Sequence, residues 1–407
     1  MSQPHPLRWL VLSGVWLIYA AFGLIASSIA PLVQRIETDL AMSHTAMGSV
    51  MGAWQLVFIA AAVPCGMLLD RLGSRWALLL GAICIAASAY GRSVADGYVG
   101  LLLAVALFGV GGPIISAGAP KVITSWFEGS SRGLAMGIYV TGPALGGICA
   151  LSLTHPLLMP FFDDNWRPIF VLWAGLALLA GVVWWVLATL PAIRAHNDGI
   201  HVEAPVPHRR VIRMLLLDPA VRVMLLMSTG VFMISHGLMN WLPQMLVDYG
   251  MSFSQAGYWA AIPTIVGIFG ALIIPRLATP ERRFAILTGL CVALLGATLL
   301  LQLETRPVLF SGLVLQGIAR ATLMTVLVLT LVELPGVGRN HAGTASGLFF
   351  ATAEFGGMLG PLVVGVLYDV SGTFVAGLVM FSVVSAGLIV GARRLNKLAV
   401  HPAEAGA

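Results

Sequence analysis

The sequence predicts an all-α membrane protein of twelve transmembrane helices arranged as two pseudo-symmetric six-helix bundles. Three observations carry this. The 407-residue chain is 58% hydrophobic and only 10% charged, with a mean hydropathy of +0.93, whereas a soluble domain carries roughly 25% charged residues. Most side chains must therefore face something other than water. Apolar runs of spanning length recur twelve times, each ended by charge, Pro or Gly. Finally, the two halves of the chain repeat a pattern of small residues.

In the first half the runs fall at about 9–33, 44–69, 75–92, 98–126, 132–158 and 167–190. In the second they fall at about 221–246, 254–277, 284–303, 307–333, 341–368 and 372–393. A span needs roughly 20 apolar residues, so a chain of this length has room for about a dozen, and tilted helices run longer. The first run is too long for a signal-peptide core and reads as a retained first helix. One long polar stretch, 192–213, separates the sixes and is too short for a core of its own. The expected organisation is a bundle at 1–191, a linker at 192–213 and a second bundle at 214–407.

Charge predicts orientation. With the N-terminus inside, seventeen Lys and Arg residues fall on cytoplasmic segments. Four, Arg35, Arg92, Arg167 and Arg306, fall on outer loops, and Arg320 lies inside a span. The positive-inside rule then places both termini and the linker in the cytoplasm. The same rule accounts for the sequence pI near 9.3. The basic residues form no aromatic-interleaved stripe, which argues against a nucleic-acid partner. Cys65, Cys84, Cys149 and Cys291 all sit in apolar runs, without disulfide or metal spacing. No nucleotide-binding glycine loop or metal cluster occurs, so neither an enzyme nor a cofactor is expected.

The internal repeat sits in helices five and eleven. Gly133, Ala135, Gly137, Gly146 and Gly147 recur 210 residues later as Gly343, Ala345, Gly347, Gly356 and Gly357. Glycine is common here, at 46 residues, but five matches at one offset between equivalent helices favour a true repeat. Repeated halves are how many transporters build a midplane site.

The strongest local motif is Gly66-Met67-Leu68-Leu69-Asp70-Arg71-Leu72-Gly73-Ser74-Arg75, after the second span. Gly66 is expected to admit a neighbouring helix closely, Asp70 to pair with a cation or a helix N-terminus, and Gly73 to make a tight turn. Arg71 and Arg75 fit the inside rule. This motif resembles the signature loop between helices two and three of the major facilitator superfamily, and the resemblance extends over the whole chain. Ser74 replaces the first of two basic residues usual after the second Gly. The resemblance implies a cytoplasmic latch of Gly66, Asp70, Arg71, Gly73 and Arg75 that breaks as access alternates. The matching loop of the second half, 275–283, keeps its arginines but has lost the Gly and Asp.

Helix five carries Gly142-Pro143-Ala144-Leu145-Gly146-Gly147, where small residues permit close packing and Pro143 bends the helix. In the superfamily a similar motif is associated with proton-coupled exporters. Two further stretches point elsewhere. Trp126-Phe127 with the run from Arg132 to Ile138 is similar to monocarboxylate, oxalate and cyanate-type carriers. Asn240-Trp241-Leu242-Pro243 with Gly250 and Ala256-Gly257 is similar to cyanate permease-like and organic-anion carriers. The cyanate-type arginine of helix one is absent, and Ser27-Ser28-Ile29-Ala30-Pro31 occupies that area.

Two charges lie deep in spans. Arg320 falls about twelve residues from the outer end of helix ten, and Glu354 about eleven from the inner end of helix eleven. At 1.5 Å per residue both sit near the midplane. A charge there costs at least about 2.5–3.5 kcal/mol and needs a cavity or a partner. The two form either a static ion pair or a site in which Arg320 takes an anionic group bidentately while Glu354 competes for it and changes protonation state. His236 and Asn240 share a face of helix seven. Tyr19 and Gln55 lie mid-span in helices one and two and are expected to supply an opposite wall. Lys121 and Trp126, near the inner end of helix four, read as snorkelling and anchoring residues.

The resemblance and these charges together lead us to expect a monomeric, multi-pass, bacterial-type inner-membrane secondary transporter. Its expected work is proton symport of a small, monocarboxylate-like organic anion, with protons, the anion and the bilayer as its partners. Proton-coupled export of amphiphilic compounds and solute sensing without transport are the alternatives.

Overall fold

The computed structural model describes residues 6–198, 209–334 and 337–400. Among the described residues every regular element is helical. Eleven helices are long and apolar enough to cross a membrane. One of them, α3, runs for 50 residues, His44–Ser93, and contains two spans joined at Gly73, where φ of 70° and ψ of 164° are non-helical. The positive φ is tolerated there because glycine has no Cβ. The twelve predicted spans are therefore all present.

The chain divides into two compact units, Met1–Ala204 with Met251–Ala261, and Pro205–Gly250 with Ile262–Ala407. The predicted linker is seen at its two ends, in short helices over Pro191–Asp198 and Arg209–Leu217, while 199–208 lie outside the described residues.

In the first unit, α1 (Arg8–Ser27) leads through a 3-10 turn into the short α2 (Val33–Leu40). After α3 come α4 (Tyr98–Trp126) and α5 (Gly129–Leu153). A π-helical turn, Thr154–Leu158, then carries the chain into α6 (Met159–Phe161), before α7 (Arg167–Thr189) and the linker helix α8 (Pro191–Asp198). Small residues set the spacing of α1 and α5. A Cβ on Gly146 would lie 2.0 Å from the Ala20 carbonyl oxygen, and one on Gly23 would lie 2.1 Å from that of Pro143. Without aqueous surroundings to drive association, such close backbone approach is what holds membrane helices together.

The second unit opens with the linker helix α9 (Arg209–Leu217) and α10 (Pro219–Asp248). Asp218 caps α10, its carboxylate accepting from the Ala220 and Val221 amides at 2.8 and 3.2 Å, and Pro219 stands at a position whose N–H would be unpaired anyway. Then follow α11 (Phe253–Leu277), which belongs to this unit from Ile262 onward, α12 (Arg283–Leu300), α13 (Arg306–Val332), α14 (Gly338–Ser371) and α15 (Val375–Val400). Here α14 crosses α10 as α5 crosses α1. A Cβ on Gly356 would lie 2.0 Å from the Thr229 carbonyl oxygen, and one on Gly360 would lie 2.1 Å from that of Met233. Gly146 and Gly356, equivalent in the predicted repeat, thus do the same work in their own units.

Candidate substrate site

In the second unit, Arg320 lies at the middle of α13 and Glu354 at the middle of α14. Of the two arrangements the sequence leaves open for them, the direct ion pair is not formed in this structure. The half-buried Arg320 donates from Nη1 to the Ser235 carbonyl of α10 at 3.2 Å. Glu354 is only 7% exposed and its Oε2 has no hydrogen-bond partner. Among the described residues no ion pair joins the two. Consecutive helices fix depth but not rotation about the axis, and rotation turns Arg320 toward α10.

That rotation brings Arg320 beside His236, the residue after Ser235. His236 stacks on Phe232 at a centroid distance of 5.4 Å, and the Asn240 side-chain amide donates to the His236 carbonyl at 2.8 Å. Arg320 and Asn240 thus both donate to backbone carbonyls of the same turn of α10, those of Ser235 and His236. A guanidinium has five donors in a planar fork, and one is committed to Ser235.

In the first unit, Tyr19 of α1 stacks on Tyr139 of α5 at 4.9 Å and on Phe22 at 5.5 Å. Phe22 continues to Phe108, and Phe108 to Trp54. Gln55 is fully buried in the first span of α3. A charged residue that sequence reasoning placed in an outer loop belongs to this interior. Arg92 is 1% exposed, donating from Nη1 to the Ile25 carbonyl at 2.8 Å and to Ser28 Oγ at 3.0 Å, and from Nη2 to Ser88 Oγ at 3.3 Å. Charge counting cannot tell an arginine that ends a span from one that folds back into it. Ser88 and Arg92, four residues apart, were the available signal.

The motif around Asp70 holds one ion pair and one turn. Lys121 of α4 donates to the Asp70 carboxylate at 2.5 Å, so Lys121 is a partner and not only a snorkelling side chain. Gly73 makes the predicted turn. Arg71 is exposed, and the Arg75 guanidinium lies over the Trp76 ring at 5.2 Å while its carbonyl accepts from Trp184 Nε1 at 3.2 Å. At Gly66 a Cβ would meet nothing within 4 Å among the described residues.

A separate cavity of about 670 Å³ opens in the first unit beside Arg35, Asp39 and Arg167. Its cations are engaged: Arg167 pairs with Asp39 and donates to the Ala95 carbonyl at 2.9 Å, and Arg35 lies 3.9 Å from Asp164.

Twelve spans in two repeated halves, each with charge buried inside it, are the architecture of a membrane transporter. The chain matches the Major Facilitator Superfamily over residues 15–361 and belongs to that superfamily. It is a transporter and not an enzyme. It is 24% identical over 373 residues to a hexuronate transporter of Bacillus subtilis, covering 83% of each chain. It is 27% identical over 384 residues to a quinolone resistance transporter of Acinetobacter baumannii, covering 86% of this chain and 85% of that one. The fold is that of a bacterial homolog of the human lysosomal transporter Spinster, solved inward-facing and unoccupied. That likeness has a TM-score of 0.75 at 19% identity and covers 97% of this chain and 98% of the other.

Proposed function

We propose that this transporter is a secondary carrier that takes up a small organic anion together with protons, by alternating access. The observation that carries the reading is the mid-span guanidinium of Arg320, with one donor on Ser235 and no carboxylate of this chain among the described residues paired to it. The remaining donors suit a carboxylate in bidentate geometry. Charged groups held inside membrane spans mark substrate and proton pathways. Glu354, buried and with one oxygen unmet, is the group we assign to the proton. His236 and Asn240 frame the carboxylate, and Tyr19 and Gln55 are the substrate contacts we assign to the first half. Hexuronates, the cargo named for one relative, are carboxylates, which supports the class.

In this reading Asp70 with Lys121, Arg71, Gly73 and Arg75 form a latch that favours one access state, and Gly66 is the place where a helix approaches in another. The halves are 1–191 and 214–407, joined by the cytoplasmic 192–213 linker, with both termini inside a bacterial inner membrane and the monomer as the working form.

Uptake of radiolabelled D-glucuronate into proteoliposomes, with and without an inside-alkaline pH gradient, tests this directly. Accumulation that follows the gradient and fails in Arg320→Ala supports it; no uptake, or uptake indifferent to the gradient, overturns it. A second reading, proton-driven export of amphiphilic compounds, is favoured by the helix-five motif and the quinolone resistance relative. It requires the opposite sign of gradient. Binding without uptake would identify a solute sensor.

A further inference from the structure

Along α13 one face is buried at Leu309, Leu313, Gln316, Leu323 and Leu327, each at most 1% exposed. Gln316 is the polar member of a leucine stripe, and neither its Oε1 nor its Nε2 has a hydrogen-bond partner. Burying an amide with neither group met is destabilising. Leucine would fill the position without that cost. Arg320 stands one helical turn further along the same face and donates to Ser235 of α10.

We infer that Gln316 is a second ligand-reading residue of this site, selecting carboxylates that also carry a hydroxyl. An amide with both its donor and its acceptor unmet is complementary to a group that donates and accepts at once, which a hydroxyl does and a carboxylate or an alkyl chain does not. The rise from Gln316 to Arg320 is about 6 Å, so the hydroxyl belongs toward the far end of a short hydroxy acid whose carboxylate lies on Arg320. This inference rests on the reading of Arg320 as the carboxylate partner. It adds a demand for a hydroxyl, which that reading does not make.

The test compares wild-type and Gln316→Leu protein, purified in detergent, by thermal shift and isothermal titration with D-gluconate, hexanoate and glucose as probes. Without ligand, Gln316→Leu should melt no lower than wild type, because an unmet amide has been replaced by an apolar side chain of similar size. Wild type should prefer D-gluconate to hexanoate, and Gln316→Leu should lose at least about tenfold in D-gluconate affinity while hexanoate is unchanged. Equal losses for both acids, unchanged discrimination, or a lower melting temperature without ligand would each overturn the inference. Glucose separates the two levels. Binding of glucose but of neither acid, with glucose lost in Gln316→Leu, would overturn the Arg320 reading and with it the selection of hydroxy acids, leaving Gln316 as a hydroxyl contact alone. A wild-type protein that binds none of the three overturns both.

Discussion

The Asp70 carboxylate and the Lys121 ammonium lie 2.5 Å apart, tying the turn at Gly73 to α4. Both side chains are about one-third exposed, at 32% and 28%, and partly exposed pairs contribute only about 0–1 kcal/mol. A contact of that strength can bias an equilibrium between access states without locking it. Asp70→Asn should therefore leave D-glucuronate affinity within a few-fold while slowing transport. The charge-swapped double variant Asp70→Lys, Lys121→Asp should recover part of the rate. Loss of binding in folded Asp70→Asn protein would remove Asp70 from the latch.

Glycines of the same sequence character should respond differently to a methyl group. Gly356→Ala drives a Cβ onto the Thr229 carbonyl oxygen and Gly146→Ala onto that of Ala20, so each should destabilise by about 1–3 kcal/mol. Gly66→Ala meets nothing within 4 Å and should leave the melting temperature unchanged or slightly raised. Any slowing of transport in Gly66→Ala would then belong to an access state in which a helix closes on it. Differential scanning fluorimetry of the three variants checks the stability order.

The spans, the break at Gly73 and the paired crossings at Gly146 and Gly356 were legible in the sequence because each leaves a signature in apolar length or small-residue spacing. The partner of Arg320 was not. Depth follows from counting residues along a helix, whereas the choice between α14 and α10 depends on rotation and packing. Arg92 was hidden because an arginine at the end of an apolar run has the same sequence signature whether it caps the span or folds inward to Ile25 and Ser28. Gln316 gave no signal, since one uncharged amide hardly changes the hydropathy of a leucine-rich helix. The close approach expected at Gly66 is not seen among the described residues.

Orientation has its own test. A single cysteine at Asn197, in a variant lacking the four native cysteines, should resist a membrane-impermeant maleimide in intact cells and react after permeabilisation. Labelling from outside would invert the assigned topology.

Glu354→Gln removes the titrating carboxyl and keeps its shape. It should bind D-glucuronate at least as well as wild type, and its affinity should no longer vary between pH 5.5 and 8 beyond roughly twofold. A wild-type pH profile in this variant would move the proton site elsewhere.

If Arg320 holds the substrate carboxylate through its planar fork, Arg320→Lys should weaken binding, because the charge stays while the fork is lost. Isothermal titration of folded Arg320→Lys protein with D-glucuronate should show affinity reduced by about tenfold or more. Undiminished affinity would remove Arg320 from the substrate site and leave the Arg320–Ser235 contact as a structural tie between α13 and α10.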